Sequence, residues 1–298
     1  MLPERPWKLE SIVRLLLSVF VCVCAGSVLA SALGAGVASM KARIVEVWAL
    51  VCLATTLVLL RKRWTIENLT ARLAIILLCF YAGLVLAVWS ENLSGEAQRV
   101  PSPRQFVVGM VSFQGAILVL TAYFLGEQET TWKEAFGLAN RWKTALVWGV
   151  VAACIFLPIG GQIQQLCRTV LEHWSRSPFK PEEQLPVQTL RLAETFGKRL
   201  VLGVATVVLA PAAEETLFRG ILYPAIKQAG YPKLALLLTS VAFAGMHANA
   251  VAFLPLLVLS IILTALYEKT GNLLAPIVAH ALFNSIGVVE LFHQQAQS

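Results

Sequence analysis

Polar and charged residues along this 298-residue chain fall in short clusters, and the stretches between them stay apolar for about 17 to 24 residues at a time. A run of that length, wound as an α-helix rising ~1.5 Å per residue, crosses the ~30 Å hydrocarbon layer of a bilayer. The pattern predicts nine such helices, at about 15–38, 44–60, 73–89, 106–125, 144–160, 200–226, 233–247, 251–267 and 273–290. The expected fold is all-α, a polytopic transmembrane helix bundle of about eight or nine membrane spans. The first run follows Arg5, Lys8 and Arg14 and passes small residues at Ala30 and Ala32, as a cleaved signal peptide would; its apolar length predicts a retained helix instead.

Two polar stretches break the pattern. Residues 161–199, with Pro178, Pro181 and Pro186 amid charges, read as an extramembrane excursion that includes a short amphipathic helix. Residues 132–143, where Trp132, Phe136 and Trp142 alternate with Lys133, Arg141 and Lys143, read as an interfacial anchor.

Composition agrees with a bilayer as solvent: 57% of residues are apolar, only 14% are charged, and mean hydropathy is +0.71. The net charge of +7 would raise the question of nucleic acid in a soluble protein. Here the basic residues sit between apolar runs, where they face headgroups, so no nucleic-acid partner is expected. One set of alternate loops carries Arg5, Lys8 and Arg14, then Arg61, Lys62, Arg63 and Arg72, then Lys133, Arg141 and Lys143, then Lys227, Lys233 and Lys269. The short loops on the other side carry only Lys41, Arg43, Arg99 and Arg104, which predicts a cytoplasmic amino terminus. Cys22, Cys24, Cys52, Cys79 and Cys154 lie in apolar runs with no CxxC spacing, and with Cys167 they are expected to be small core hydrophobes.

All 17 acidic residues are glutamates. Without an aspartate, Ser-His-Asp triads, aspartyl protease dyads, Walker-type Mg²⁺ sites and EF-hands lose a customary member. The HExxH, GxSxG and GxxxxGK[ST] patterns are absent too.

The sixth run carries the chemistry. After Val201–Ala210 come Pro211, two alanines, Glu214, Glu215, Thr216, Leu217, Phe218 and Arg219. Each charge at membrane depth costs ~2.5–3.5 kcal/mol on insertion scales, so such residues mark function by default. Glu215 and Arg219 stand i, i+4 with the acid first, the favourable order for an ion pair. Glu214 projects ~100° away around the helix, free to face a cavity as a general base or proton shuttle. The seventh run ends Phe243-x-x-x-His247, and the ninth contains His280-x-x-x-Asn284, each pair on one helix face. Of the other histidines, His173 lies in the polar excursion and His293 in the tail. Singly, each residue has an ordinary reading: a hydrogen-bonded core histidine, an ion pair, an asparagine that glues helices. Their concentration in one stretch where little else ionises favours a common site.

These three motifs, in this order, resemble those of the CPBP intramembrane proteases, a family that includes eukaryotic CAAX prenyl proteases and bacterial Abi-type proteins. The resemblance covers 200–290 as its motif core within 131–298, leaving 1–130 as membrane spans of unassigned role. It implies a helical bundle around a water-accessible cavity in which peptide bonds are hydrolysed. On that resemblance Glu214 activates water, His247 holds the water, and His280 and Asn284 stabilise the oxyanion; Glu215, Arg219 and Phe243 support them. The family also implies a zinc alternative, with Glu214, His247 and His280 as ligands. A metal-independent site is expected, because asparagine is a poor zinc ligand and no helix carries two histidines at i, i+4.

The expected substrate is a peptide or protein, membrane-associated or prenylated in some family members, met in a bacterial cell membrane. The same residues would also serve a proton- or ion-coupled transporter, although no duplicated halves are visible. A catalytically idle immunity or binding protein is the third reading.

Overall fold

The structure, a computed structural model, describes residues 7–34, 102–173, 185–191, 193 and 195–297. Among these every regular element is helical: α1 (Leu9–Gly34), α2 (Pro103–Met110 continuing through Val111–Gly115 to Ala116–Glu127), α3 (Trp132–Phe136), α4 (Trp142–His173), α5 (Leu185–Arg191), α6 (Phe196–Gln228), α7 (Pro232–Gly245), α8 (Ala250–Thr270) and α9 (Leu274–Gln297). The spans predicted at 44–60 and 73–89 lie outside the described residues, as do Cys52, Cys79 and the cluster Arg61 to Arg63.

Among the described residues five helices are long and apolar enough to cross a membrane: Leu9–Ser27, Arg104–Glu127, Trp142–His173, Phe196–Gln228 and Ala250–Thr270. The chain is an integral membrane protein with an all-α membrane bundle. Two further predicted spans are present as shorter apolar helices. The helix expected at 233–247 is Pro232–Gly245, whose 14 residues extend ~21 Å, short of the ~30 Å hydrocarbon thickness. The one expected at 273–290 is Leu274–Gln297, with its apolar part confined to Leu274–Val289. The span expected at 144–160 is much longer, since α4 runs 32 residues through Pro158 to His173. At ~48 Å it overshoots the hydrocarbon, and its last turns carry Gln162, Gln165, Arg168 and Glu172. The excursion therefore begins as helix. Its predicted short helix is α5, and 174–184 lies outside the described residues.

The chain divides into two compact units, Trp7–Gln128 with Leu192–Lys198, and Glu129–Arg191 with Arg199–Ser298. In the first, Gly26 of α1 meets Ser112 of α2 so closely that any side chain there would collide with the serine hydroxyl. Arg14 and Glu127 pair across the same two helices, and Trp7 lies 5.1 Å from Phe124.

In the second unit α4, α8 and α9 pack together. Gly149 lets α4 approach α9, since a methyl group at this position would sit 2.7 Å from the Ala275 carbonyl oxygen. Phe156 and Phe283 fill the same seam, 5.7 Å apart. The outward face of α4 is Val147, Val151, Ile155 and Ile159 at helical spacing, all exposed. A stripe of that kind suits lipid rather than water. Cys154, expected in the core, also points outward, while Cys22, Cys24 and Cys167 are half-buried.

Behind the site helix, α3 begins at a capping box formed by Thr131 and Glu134 and ends at Gly137, φ 66°. Phe136, expected as an interfacial anchor, is instead fully buried, and a methyl group at Gly220 of α6 would meet its ring at 2.6 Å. The α3 end is tied to the α8–α9 turn: Leu273 N–H donates to the Phe136 carbonyl at 3.0 Å. Buried Asn272 donates its Nδ2 to the Asn140 carbonyl at 2.7 Å and accepts from Leu274 N–H at 2.9 Å. Gly137 needs its glycine twice over, for positive φ and because a Cβ would collide with the Gly271 carbonyl oxygen. Gly137→Ala is expected to cost about 1–3 kcal/mol and lower the melting temperature of the detergent-purified protein. Gly109→Ala, where a Cβ meets nothing within 4 Å, serves as control; equal melting of the two variants would dismiss this seam.

Candidate functional site

The glutamate pair sits on the only α-helical turn between two π-helical stretches of α6. Ala205–Leu209 precedes Ala210–Glu215, and Thr216–Leu222 follows it. A π segment displaces the backbone hydrogen-bond ladder by one residue and often occurs at functional sites. Here the displacement has an identifiable result. Ala210 N–H donates to the Ala205 carbonyl, so the Thr206 carbonyl loses its α-helical partner. The next donor in the π register would be residue 211, a proline with no N–H. Asn284 of α9 supplies the missing donor, its Nδ2 lying 3.0 Å from the Thr206 oxygen.

Arg219 lies in the second π stretch and is fully buried. It makes four hydrogen bonds: Nη1 to Glu215 Oε1 at 2.9 Å, Nη2 to the Ser260 carbonyl at 3.0 Å and hydroxyl at 2.7 Å, and Nε to Thr264 Oγ1 at 3.4 Å. Its guanidinium also stacks on the Phe243 ring, 4.5 Å from centroid. A guanidinium has five N–H donors, so nearly all are satisfied inside the protein.

Glu215 is equally buried, and its Oε1 serves two cations or donors at once. Besides Arg219 it accepts from His280 Nδ1 at 2.9 Å. Facing an acceptor, Nδ1 carries the hydrogen, leaving Nε2 as the nitrogen directed to Glu214. That Nε2 is 4.0 Å from Glu214 Oε2, an oxygen that is itself buried without a hydrogen-bond partner. Glu215 Oε2 is likewise buried without a partner, so the two glutamates differ at the other oxygen: Glu215 is fastened at Oε1 by Arg219 and His280, whereas no hydrogen bond holds Glu214.

Phe243 is the hydrophobic hub. Its ring lies 5.5 Å from His280, 5.2 Å from His247 and 5.5 Å from Phe218. His247, half-buried just past the end of α7, donates Nδ1–H to the Phe243 carbonyl at 2.8 Å, leaving its Nε2 free to accept. All seven sequence-chosen residues therefore belong to contacts linking α6, α7 and α9. Glu214, Glu215, Arg219, His280 and Phe243 form one connected cluster, His247 joins through Phe243, and Asn284 joins through the α6 backbone. Among the described residues no three His, Cys or Glu side chains converge into a set that could hold a metal ion. The trio Glu214, His247 and His280 does not form one.

Sequence reasoning missed Ser260 and Thr264. They stand i, i+4 on α8, both almost fully buried, with the Thr264 hydroxyl donating to the Ser260 carbonyl at 2.9 Å. Two hydroxyls at helical spacing in an otherwise apolar run are the available signal. It also missed the Glu215–His280 contact, since Arg219 already accounts for that glutamate.

Removing the guanidinium leaves Glu215 uncompensated in the interior. Arg219→Ala is expected to cost ~3–5 kcal/mol, seen as loss of monodisperse protein on size exclusion in detergent. The double variant Arg219→Ala with Glu215→Ala is expected to recover part of the yield. A double variant no better than the single one would mean that the unpaired carboxylate was not the cause.

Residues 196–286, which hold all three motifs, match the family model described as type II CAAX prenyl endopeptidase Rce1-like. UPF0177 protein YxdF of Lactococcus lactis subsp. lactis (strain IL1403) is similar, 33% identical over 91 residues, or 30% of this chain and 48% of that relative. The match thus spans about half the length of the relative. No solved structure matches. The segment 196–286 is thus similar to the Rce1-like CAAX endopeptidases, the family its three motifs resemble.

Proposed function

We propose that the protein is an intramembrane endopeptidase of the CAAX-protease type that hydrolyses peptide bonds with a water activated by Glu214. The observation that carries this reading is the asymmetry of the glutamate pair. Both Oε2 atoms are buried and unpartnered, but Glu215 is fixed through Oε1 by Arg219 and His280, whereas Glu214 spends neither oxygen in a hydrogen bond and its Oε2 lies 4.0 Å from His280 Nε2. A base must have an open oxygen and a route for the proton it takes.

In this mechanism water lies between Glu214 and the accepting Nε2 of His247. Glu214 takes one water proton, and the hydroxide adds to the scissile carbonyl carbon while the carbonyl π electrons move to oxygen. The proton on Glu214 passes toward His280 Nε2, which makes the ring a donor on both nitrogens as the oxyanion forms. Asn284 spends one amide N–H on Thr206 and has a second for the oxyanion. Donors placed at an oxyanion each contribute ~2.7–4 kcal/mol in other enzymes. Collapse of the intermediate expels the amine, which leaves with the proton. In this mechanism no step passes through a metal ion.

The substrate is a peptide or protein segment that reaches the membrane. The test uses the full chain in detergent or vesicles with fluorogenic peptides, with and without a prenylated cysteine, and with and without chelator. Glu214→Gln is expected to lose at least ~100-fold in kcat, and chelator to leave the wild type unchanged. His280→Ala is expected to lower kcat more than it changes KM. Equal cleavage by Glu214→Gln removes the glutamate from catalysis; loss only on chelation favours the zinc site. Proton flux in vesicles without hydrolysis favours a transporter.

A further inference from the structure

We infer that Ser260 is a positioning residue of this site: by holding the Arg219 guanidinium it fixes Glu215, and through Glu215 it sets which nitrogen of His280 faces Glu214. The inference rests on the endopeptidase reading above for its effect on turnover, and on geometry alone for its effect on the His280 ring.

The planarity of the guanidinium is the starting point. A flat fork held along two of its edges has no freedom left at the third. Ser260 holds Nη2 by its hydroxyl at 2.7 Å and its carbonyl at 3.0 Å, and Thr264 receives Nε at 3.4 Å. The direction of Nη1, and with it the place of Glu215 Oε1 at 2.9 Å, is then determined. Oε1 in turn is the partner of His280 Nδ1 at 2.9 Å. Each link is buried: Ser260 is 1% exposed, Arg219 and Glu215 0%, His280 1%. No water competes along the chain, so a loosened first link is transmitted to the last.

The Ser260 hydroxyl cannot be replaced by the backbone alone. The Ser260 carbonyl already accepts from the Thr264 hydroxyl at 2.9 Å as well as from Arg219. Without the hydroxyl, one Nη2 hydrogen loses its acceptor, and the guanidinium turns to find another. That motion draws Nη1 off the line to Glu215. No hydrogen bond links Ser260 or Thr264 to Glu214, so their influence on catalysis runs through Arg219.

The experiment uses the full chain in detergent and two readouts. One is kcat and KM on the best-cleaved peptide. The other is the ring nitrogen and proton signals of His280 in protein labelled with ¹⁵N-histidine, assigned with His280→Gln. Ser260→Ala is expected to lower kcat roughly tenfold, as loss of a histidine's outer partner does elsewhere. KM should stay within about twofold, the His280 Nδ1 proton signal should move, and Ser260→Thr should restore both. Unchanged His280 signals in Ser260→Ala overturn the inference, whether or not turnover falls. Moved signals in a protein that cleaves no peptide, or that cleaves equally well as Glu214→Gln, uphold the positioning chain and remove the endopeptidase reading. If Ser260→Ala does not fold, Ser260→Cys, which keeps the side chain's shape and weakens its acceptor, takes its place with the same readouts, and unchanged His280 signals there overturn the inference in the same way.

Discussion

A guanidinium sealed inside an apolar bundle must find its counterion and its acceptors within the protein, and the neighbourhood of Arg219 is arranged around that need. An uncompensated buried charge costs several kcal/mol, which is comparable to the net stability of a whole domain. The compensation comes from three helices. Glu215 supplies charge from α6, Ser260 and Thr264 supply acceptors from α8, and Phe243 supplies a ring face from α7. The angle and register of these helices are thereby coupled to one side chain. Because Glu215 also takes the Nδ1–H of His280, α9 is coupled as well.

The backbone of α6 completes the arrangement by a separate route. The π segment Ala205–Leu209 and Pro211 together orphan the Thr206 carbonyl, and Asn284 answers it. One α9 residue is therefore tied to the side chain of the second glutamate and another, one turn on, to the backbone ahead of the first. Two attachments one turn apart fix the rotation of α9 about its own axis, not only its distance from α6. This is what points His280 Nε2, rather than a ring face, at Glu214.

The membrane explains which parts of this are legible in the sequence. In water, an amphipathic stripe shows which face of a helix packs inward; in lipid both faces are apolar, and the stripe vanishes. On α8 the outward residues include Phe253, Leu254 and Ile261, and the inward ones Leu256, Leu259 and Leu263, which composition cannot tell apart. Only polar residues mark the inner face. The charged and imidazole groups on α6, α7 and α9 are visible for that reason, and their i, i+4 spacing places them correctly on shared faces. Ser260 and Thr264 carry the same kind of signal in a weaker form, and hydroxyls in apolar helices have too many ordinary uses to be singled out. Helix ends are harder still. α4 continues beyond Pro158 because the following turns, with three Gln and two Leu, contain no further breaker after Gly161. Phe136 misleads because Trp and Phe among lysines look interfacial whether they rest on lipid or plug the hollow beside Gly220.

The shortness of α7 bears on how water reaches such a site. Lys227 at the end of α6 pairs with Glu268 near the end of α8, so those two helix ends share one polar layer. Glu214 lies thirteen residues before Lys227 on the same helix, ~20 Å deeper along its axis. The α7 helix starts two residues before the apolar run, beside Tyr231 and Lys233, and stops at Gly245 after only ~21 Å. Its end, carrying His247, is thus delivered to a depth near that of Glu214 instead of to the far headgroups. The turn that follows is not helical, holds Ala248 at φ 47°, and leaves Gly245, Met246 and Ala248 exposed. Open backbone of this kind does not survive against lipid; it persists only where protein covers it or water reaches it. Since none of the described residues covers it, water does, or the bilayer thins until headgroups do. Either way the short α7 brings His247 toward the level of Glu214 on a wetted turn, as the proposed activation of water by that carboxylate requires.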